Sequence, residues 1–146
     1  MNPTALKVSV SIIAYNNEPY IAQAIESALS QQTDYPFEIL IGEDQSADRT
    51  REIVEAYARR YPDKIRLFLH DYEPGFVHRG GGWNFLHNLR NARGEYIAWL
   101  DGDDYWNDLR KLQKQVDFLE SNPSFSMCFH NVLLKDEVNE GKDQLA

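Results

Sequence analysis

The chain has 146 residues, 42% of them apolar and 26% charged, with 15 Lys and Arg against 23 Asp and Glu for a net charge of −8. That length suits one domain with a real core, and no apolar run approaches the roughly 20 residues of a membrane helix. The acidic balance argues against nucleic acid as the main partner, because phosphate backbones are held largely through Lys and Arg.

The N-terminus carries no extended apolar region, which argues against a secretory leader. The single Cys128 cannot form an internal disulfide, in keeping with a reducing compartment. Val8 to Ala14, rich in Val and Ile, reads as a first strand. Ile21, Ala24, Ile25, Ala28 and Leu29 then recur at helical spacing, with Pro19 near the first turn. Phe37 to Ile41 is a second strand ending in Gly42, Glu43 and Asp44. Ser46 or Asp48 can cap the next helix, whose apolar face holds Ile53, Val54, Tyr57, Ala58 and Tyr61. Ile65 to Leu69 is a third strand and His70 to Gly82 a loop. A short helix over Trp83 to Ala92 leads through a turn to a fourth strand, Tyr96 to Leu100, which runs into Asp101-Gly102-Asp103-Asp104. Leu109, Leu112, Val116 and Leu119 mark another helix, a fifth strand is expected within Ser124 to Leu134, and the polar residues from Lys135 read as a tail.

Strands alternating with helices define an α/β fold with a mainly parallel sheet. The near-continuous apolar strands imply helices on both faces. Ligands of such sheets bind at the carboxyl ends of strands, which directs attention to Ala14 to Asn17, Glu43 to Ser46 and Asp101 to Asp104.

Three carboxylates within four residues repel one another unless solvated or bound to a cation, and Gly102 lets the chain turn between them. Mg²⁺ and Mn²⁺ prefer such oxygen ligands, completed by substrate phosphates and water. The plain alternative is an acidic surface turn. Asp44 can accept a hydrogen bond from a base or ribose, or serve as a helix N-terminal acid. Tyr15 can stack on a flat base or simply pack, and Asn16 can bond to that base. Arg79, beside Gly80 to Gly82, suits a diphosphate, or is a solvated loop arginine. No G-x-G-x-x-G or G-x-x-x-x-G-K-[ST] loop is present, and the His residues show no zinc-like spacing.

The stretches Val8 to Asn17, Ile25 to Gln32, Glu38 to Ser46 with Asp48-Arg49-Thr50, and Ala92 to Asp104 together resemble family 2 glycosyltransferases. The resemblance covers roughly residues 7 to 131. It implies a GT-A (Rossmann-like) fold, with residues 1–134 as its nucleotide-sugar-binding part and 135–146 as a polar tail or the start of an acceptor half. It also implies a nucleoside-diphosphate-sugar donor, often a UDP-sugar, and a saccharide or lipid-linked acceptor. By the resemblance, Ala14, Tyr15, Asn16 and Asp44 lie at the nucleobase. Asp101 and Asp103 form the D-x-D pair, Asp103 is first choice for the metal (Mn²⁺ or Mg²⁺), and Asp104 is its substitute. Transfer is expected to invert the anomeric centre and to serve cell-surface polysaccharide synthesis in the cytoplasm, at the inner membrane face. The general base is expected in the second half of the family's catalytic domain, which is longer than this chain, so the chain alone is expected to transfer sugar poorly. Two alternatives stay open: a non-catalytic nucleotide-binding module, and a phosphatase with an aspartyl nucleophile.

Overall fold

A computed structural model describes residues 5–72, 81–134 and 144–145. The elements in order are β1 (Val8–Ala14), α1 (Ile21–Leu29), β2 (Phe37–Glu43), α2 (Thr50–Arg60), β3 (Ile65–Leu69), α3 (Gly82–Asn91), β4 (Tyr96–Asp101), α4 (Lys111–Ser121), β5 (Leu133–Leu134) and β6 (Gln144–Leu145). The first four strands form one sheet in the order β3-β2-β1-β4, and every pairing in it is parallel. The described residues fall into two compact units that divide after Lys114.

Strand parity explains the layers. The odd residues of β1 meet α3: Asn88 Nδ2 donates to Ser11 Oγ at 3.1 Å, and α3 packs on β1 and β2. The even residues Val8, Val10, Ile12 and Ala14 are buried, with their β2 partners Phe37, Ile39 and Ile41. Their face is left to α1 and α2, which pack on β1 and β2 and on each other. Helices therefore lie on both faces. Each fully buried Ile or Leu of this core contributes about 1.5–3 kcal/mol relative to exposure.

At the opposite end from the strand tips, buried Glu38 accepts from Ser9 Oγ at 2.8 Å and pairs with Arg66 at 3.0 Å. The backbone N–H of Gly94 donates to Ser9 Oγ at 2.8 Å, tying the turn before β4 to β1.

The elements depart from the sequence reading in several places. β2 and β4 each run past the predicted end, taking Glu43 and Asp101 into the sheet opposite Ala14 and Ile13. Among the described residues β4 pairs only with β1, and its Ile97 (37% exposed) and Trp99 (54%) stay open, unlike the doubly covered β1 and β2. In α2, Thr50 and Val54 are the buried residues, with Ile53, Tyr57 and Ala58 at intermediate exposure. Leu109 is exposed and precedes α4. The expected fifth strand shrinks to Leu133–Leu134, antiparallel to Gln144–Leu145. Residues 124–132 form no strand, and large apolar side chains among them are exposed, Phe129 at 85%.

Candidate functional site

The chain winds from β1 outward to β3, and α3 then carries it back across to β4 on the other side of β1. Such a switch of direction opens a crevice beyond the carboxyl ends of the strands. A cavity of about 330 Å³ lies there, lined by Ile13, Ala14, Tyr15, Asn17, Asp44, Gly81, Asn84, Asp101, Gly102 and Asp103.

Two loops build one wall. Asn16 (φ 52°) and Gln45 (φ 56°) both sit in the left-handed region, a conformation uncommon outside Gly and Asn. They are held there by exchanged hydrogen bonds. Asn16 N–H donates to Ser46 Oγ at 3.0 Å, and Ala47 N–H donates to Asn16 Oδ1 at 2.8 Å. Asn17 N–H donates to buried Thr50 Oγ1 at 2.8 Å, and Glu18 N–H donates to Asp48 Oδ2 at 3.0 Å. Asn17 Oδ1 in turn accepts Tyr15 N–H at 2.8 Å. Ser46 is thus a clasp between loops rather than a helix cap. Asp48 accepts the N–H of Thr50 at 2.9 Å, at the start of α2. Burial would raise the Asp48 pKa, but the bonds from Thr50 and Glu18 outweigh it and lower the carboxyl below its usual value.

Glu43, with a fully buried side chain, closes the loop from below. Its Oε1 accepts Ser46 N–H at 2.6 Å and its Oε2 accepts Arg51 Nε at 2.5 Å. Asp44 follows at 2% exposure, its backbone N–H on Ala14 O at 3.0 Å and its Oδ1 taking the hydroxyl of Tyr72.

The second wall is the end of β4. Gly102 N–H donates to Ile13 O at 3.0 Å. A Cβ at Gly102 would lie 2.7 Å from Asn17 Oδ1 and 2.8 Å from Ile13 O, so glycine is required by close approach. Asp101 Oδ1 accepts the indole N–H of Trp99 at 2.8 Å, and Trp99 stacks on Phe85 of α3 at 4.6 Å. The segment after Asp104 is pinned to α1, where Trp106 N–H donates to buried Ser27 Oγ at 3.1 Å and Gln31 Nε2 to Asp108 O at 2.9 Å.

The floor comes from α3. Asn84 Nδ2 donates to Gly42 O at 2.7 Å, and Asn84 Oδ1 stands where a Cβ on Gly42 would fall, which excludes any larger residue there. Asn84 Oδ1 and Asn88 Oδ1 are buried with no hydrogen-bond partner among the described residues.

Of the residues singled out in the sequence, Ala14, Tyr15, Asp44, Asp101 and Asp103 meet around one cavity. Asn16 and Asp104 stand outside its lining, Asn16 with its side chain committed to Ala47. Arg79 lies outside the described residues. Asn17 and Thr50 lay in stretches the sequence had flagged but had no role assigned, and Asn84 and Tyr72 were not anticipated. Two asparagines four apart inside a short helix, Asn84 and Asn88, were the one signal that could have found α3, and it was not used.

The lining carries the carboxylates of Asp44, Asp101 and Asp103 and, among the described residues, no Lys or Arg. Burial and the charges of Asp103 and Asp101 raise the Asp104 pKa above its ordinary value. An all-oxygen donor set of this kind fits a hard divalent cation that shares its shell with substrate phosphate. No closed cluster of three metal-ligating side chains occurs among the described residues.

A parallel α/β sheet with its cavity at the strand ends and acids on two walls belongs to the GT-A class of folds, whose solved members it resembles. It superposes on Staphylococcus aureus TarS in complex with UDP with a TM-score of 0.66, 29% identity, and 81% of this chain and 33% of that chain covered. It also superposes on the mannosyltransferase PcManGT from Pyrobaculum calidifontis, in complex with GDP-Man and Mn²⁺, with a TM-score of 0.66, 28% identity, and 80% and 33% covered. The chain belongs to glycosyl transferase family 2, matched over residues 9–144. Among curated relatives, Rv1520 of Mycobacterium tuberculosis is 43% identical over 125 residues, covering 86% of this chain and 35% of that protein. The Escherichia coli UDP-Glc:alpha-D-GlcNAc-diphosphoundecaprenol beta-1,3-glucosyltransferase WfaP is 36% identical over 134 residues, 92% and 49% covered. The chain thus spans between a third and a half of the length of these relatives. Family membership decides against the phosphatase alternative. No helix among the described residues is long and apolar enough to cross a membrane.

Proposed function

We propose that this chain forms the donor-binding part of a glycosyltransferase that moves a sugar from a nucleoside-diphosphate sugar, a UDP-sugar by preference, to an acceptor hydroxyl with inversion. The acceptor is a saccharide or a lipid-linked sugar at the cytoplasmic face of a membrane, in cell-surface polysaccharide synthesis. The observation that carries the reading is the meeting of Tyr15, Asp44, Asp101 and Asp103 around one cavity at the strand ends. Solved neighbours that carry UDP or GDP-Man with Mn²⁺ support it.

In this reading the exposed ring of Tyr15 stacks on the base, and Asp44 accepts a hydrogen bond from base or ribose. Ala14 shapes the pocket, Asn16 keeps the loop in register, and Arg79 is assigned on sequence grounds to the diphosphate. Asp103 and Asp101 hold Mn²⁺ or Mg²⁺, with Asp104 in reserve, and the cation supplies the positive charge that offsets the leaving diphosphate. The cavity is acidic, so a diphosphate enters it only with such compensation. The general base and the acceptor site are assigned to parts of the family's catalytic domain outside this chain.

Calorimetric titration of UDP and GDP, each with and without Mn²⁺, tests the proposal. Metal should strengthen binding to the wild-type chain, and Asp103→Ala should weaken metal-dependent binding at least about tenfold. Diphosphate binding indifferent to metal in the wild type would remove the basis for the site.

A further inference from the structure

The exit of β3 is fastened to the exit of β2 through side chains that the donor-site reading does not use. Arg51, paired with buried Glu43, donates to His70 O at 2.9 Å and to Asp71 Oδ1 at 2.6 Å. The next residue, Tyr72, makes two bonds of its own. Its backbone N–H donates to Gln45 Oε1 at 3.1 Å, and its hydroxyl donates to Asp44 Oδ1. Asp44 lines the cavity and Tyr72 does not, so the phenol reaches the acid from outside the lining.

The terminal torsion of an aspartate is broad and roughly two-fold, so each hydrogen bond it accepts narrows the planes it samples. A hydrogen bond from a fixed phenol selects one of them. Two anchors fix this phenol: its own backbone is bonded to Gln45, and the strand exit that precedes it is held by Arg51. Burial, the bond to Asp44 and the nearby charge of Glu43 all raise the Tyr72 pKa above 10.0, so the hydroxyl keeps its proton and acts as a donor.

We propose that Tyr72 is a positioning residue for nucleobase recognition: its hydroxyl fixes the plane in which the Asp44 carboxylate meets a hydrogen-bond donor of the bound nucleoside. This rests on the assignment of Asp44 to the nucleoside made above. The residue acts through Asp44 and has no part in holding the diphosphate.

Tyr72→Phe keeps the ring and deletes only the O–H. UDP, GDP and inorganic pyrophosphate, each with Mn²⁺, are titrated into wild type, Tyr72→Phe, Asp44→Asn and the double variant. The expected result is a loss of about five- to tenfold for whichever nucleotide the wild type binds more tightly. Pyrophosphate affinity should not change, and Tyr72→Phe should cost nothing further in the Asp44→Asn background. Wild-type nucleotide affinity in Tyr72→Phe, with Asp44→Asn impaired, overturns the positioning role and leaves the donor site standing. A parallel fall in pyrophosphate affinity means general loosening and also overturns it. A wild-type chain that binds neither nucleotide overturns the donor-site assignment and this inference with it.

Discussion

Single glycines carry opposite burdens in this fold. A Cβ at Gly94 would lie 2.4 Å from Ser9 N and 2.5 Å from Val8 C, both backbone atoms of β1 that cannot yield. Gly94→Ala should therefore destabilise the chain by about 1–3 kcal/mol in urea denaturation. Gly82, at the start of α3, meets nothing within 4 Å. Gly82→Ala should be neutral or stabilising by about 0.4–1 kcal/mol in the same assay. Gly102 lies between these cases in kind, because its neighbours are one backbone oxygen and one side chain of the cavity wall. Its value in the sequence looked like turn flexibility; the structure assigns it to close approach. Asp101, Asp103 and Asp44 were legible as single residues because acids directly after apolar strands have few structural uses. Tyr72 was not, since a tyrosine in a loop carries no local signal of the carboxylate it will meet 28 residues away.

At the scale of elements, the two loops after β1 and β2 behave as one object. Their bonds run side chain to backbone in both directions, from Asn16, Ser46, Asp48 and Thr50. Thr50 is fully buried and its hydroxyl satisfies Asn17 N–H. Thr50→Val keeps the shape and orphans that N–H, so it should cost about 1–3 kcal/mol of stability. Because Asn17 lines the cavity, the same variant should also weaken UDP binding by calorimetry. Stability lost without any change in UDP affinity would separate the clasp from the cavity. β1 and β2 were legible in the sequence as near-continuous apolar runs covered on both faces, and α1 as a helix with one dominant apolar period. The region 124–134 has apolar residues too, yet pairing there depends on a partner strand that composition does not announce.

Across the whole molecule, stability should respond to pH through the cluster under β3. His87 of α3 packs edge-on against Phe68 at 4.8 Å and His70 at 4.7 Å. Burial first, then the charges of His70 and Arg90, lower its pKa below the free value of 6.5. The unfolded chain therefore takes up this proton before the folded one does. The contribution is complete above pH 6.5 and is lost as pH falls through the folded value. Urea midpoints should drop as pH falls below about 6.5, and His87→Phe should flatten that part of the profile. An unchanged slope in His87→Phe would assign the acid sensitivity elsewhere. The net charge of −8 is concentrated in part at the cavity, whose lining carries Asp44, Asp101 and Asp103.

By itself the sequence determined the alternation of strands and helices, the parallel sheet it implies, and the acids at the ends of two of its strands, β2 and β4. These are local properties: periodicity selects the element, and burial on one or both faces selects the residues. Only the tertiary structure decided which strand ends share a cavity, that β4 pairs with β1 alone among the described residues, and that Asn16 supports a loop while Asn17 and Asn84 line the site. Those outcomes follow from strand order and register, which bring together residues tens of positions apart through hydrogen bonds that no local pattern encodes.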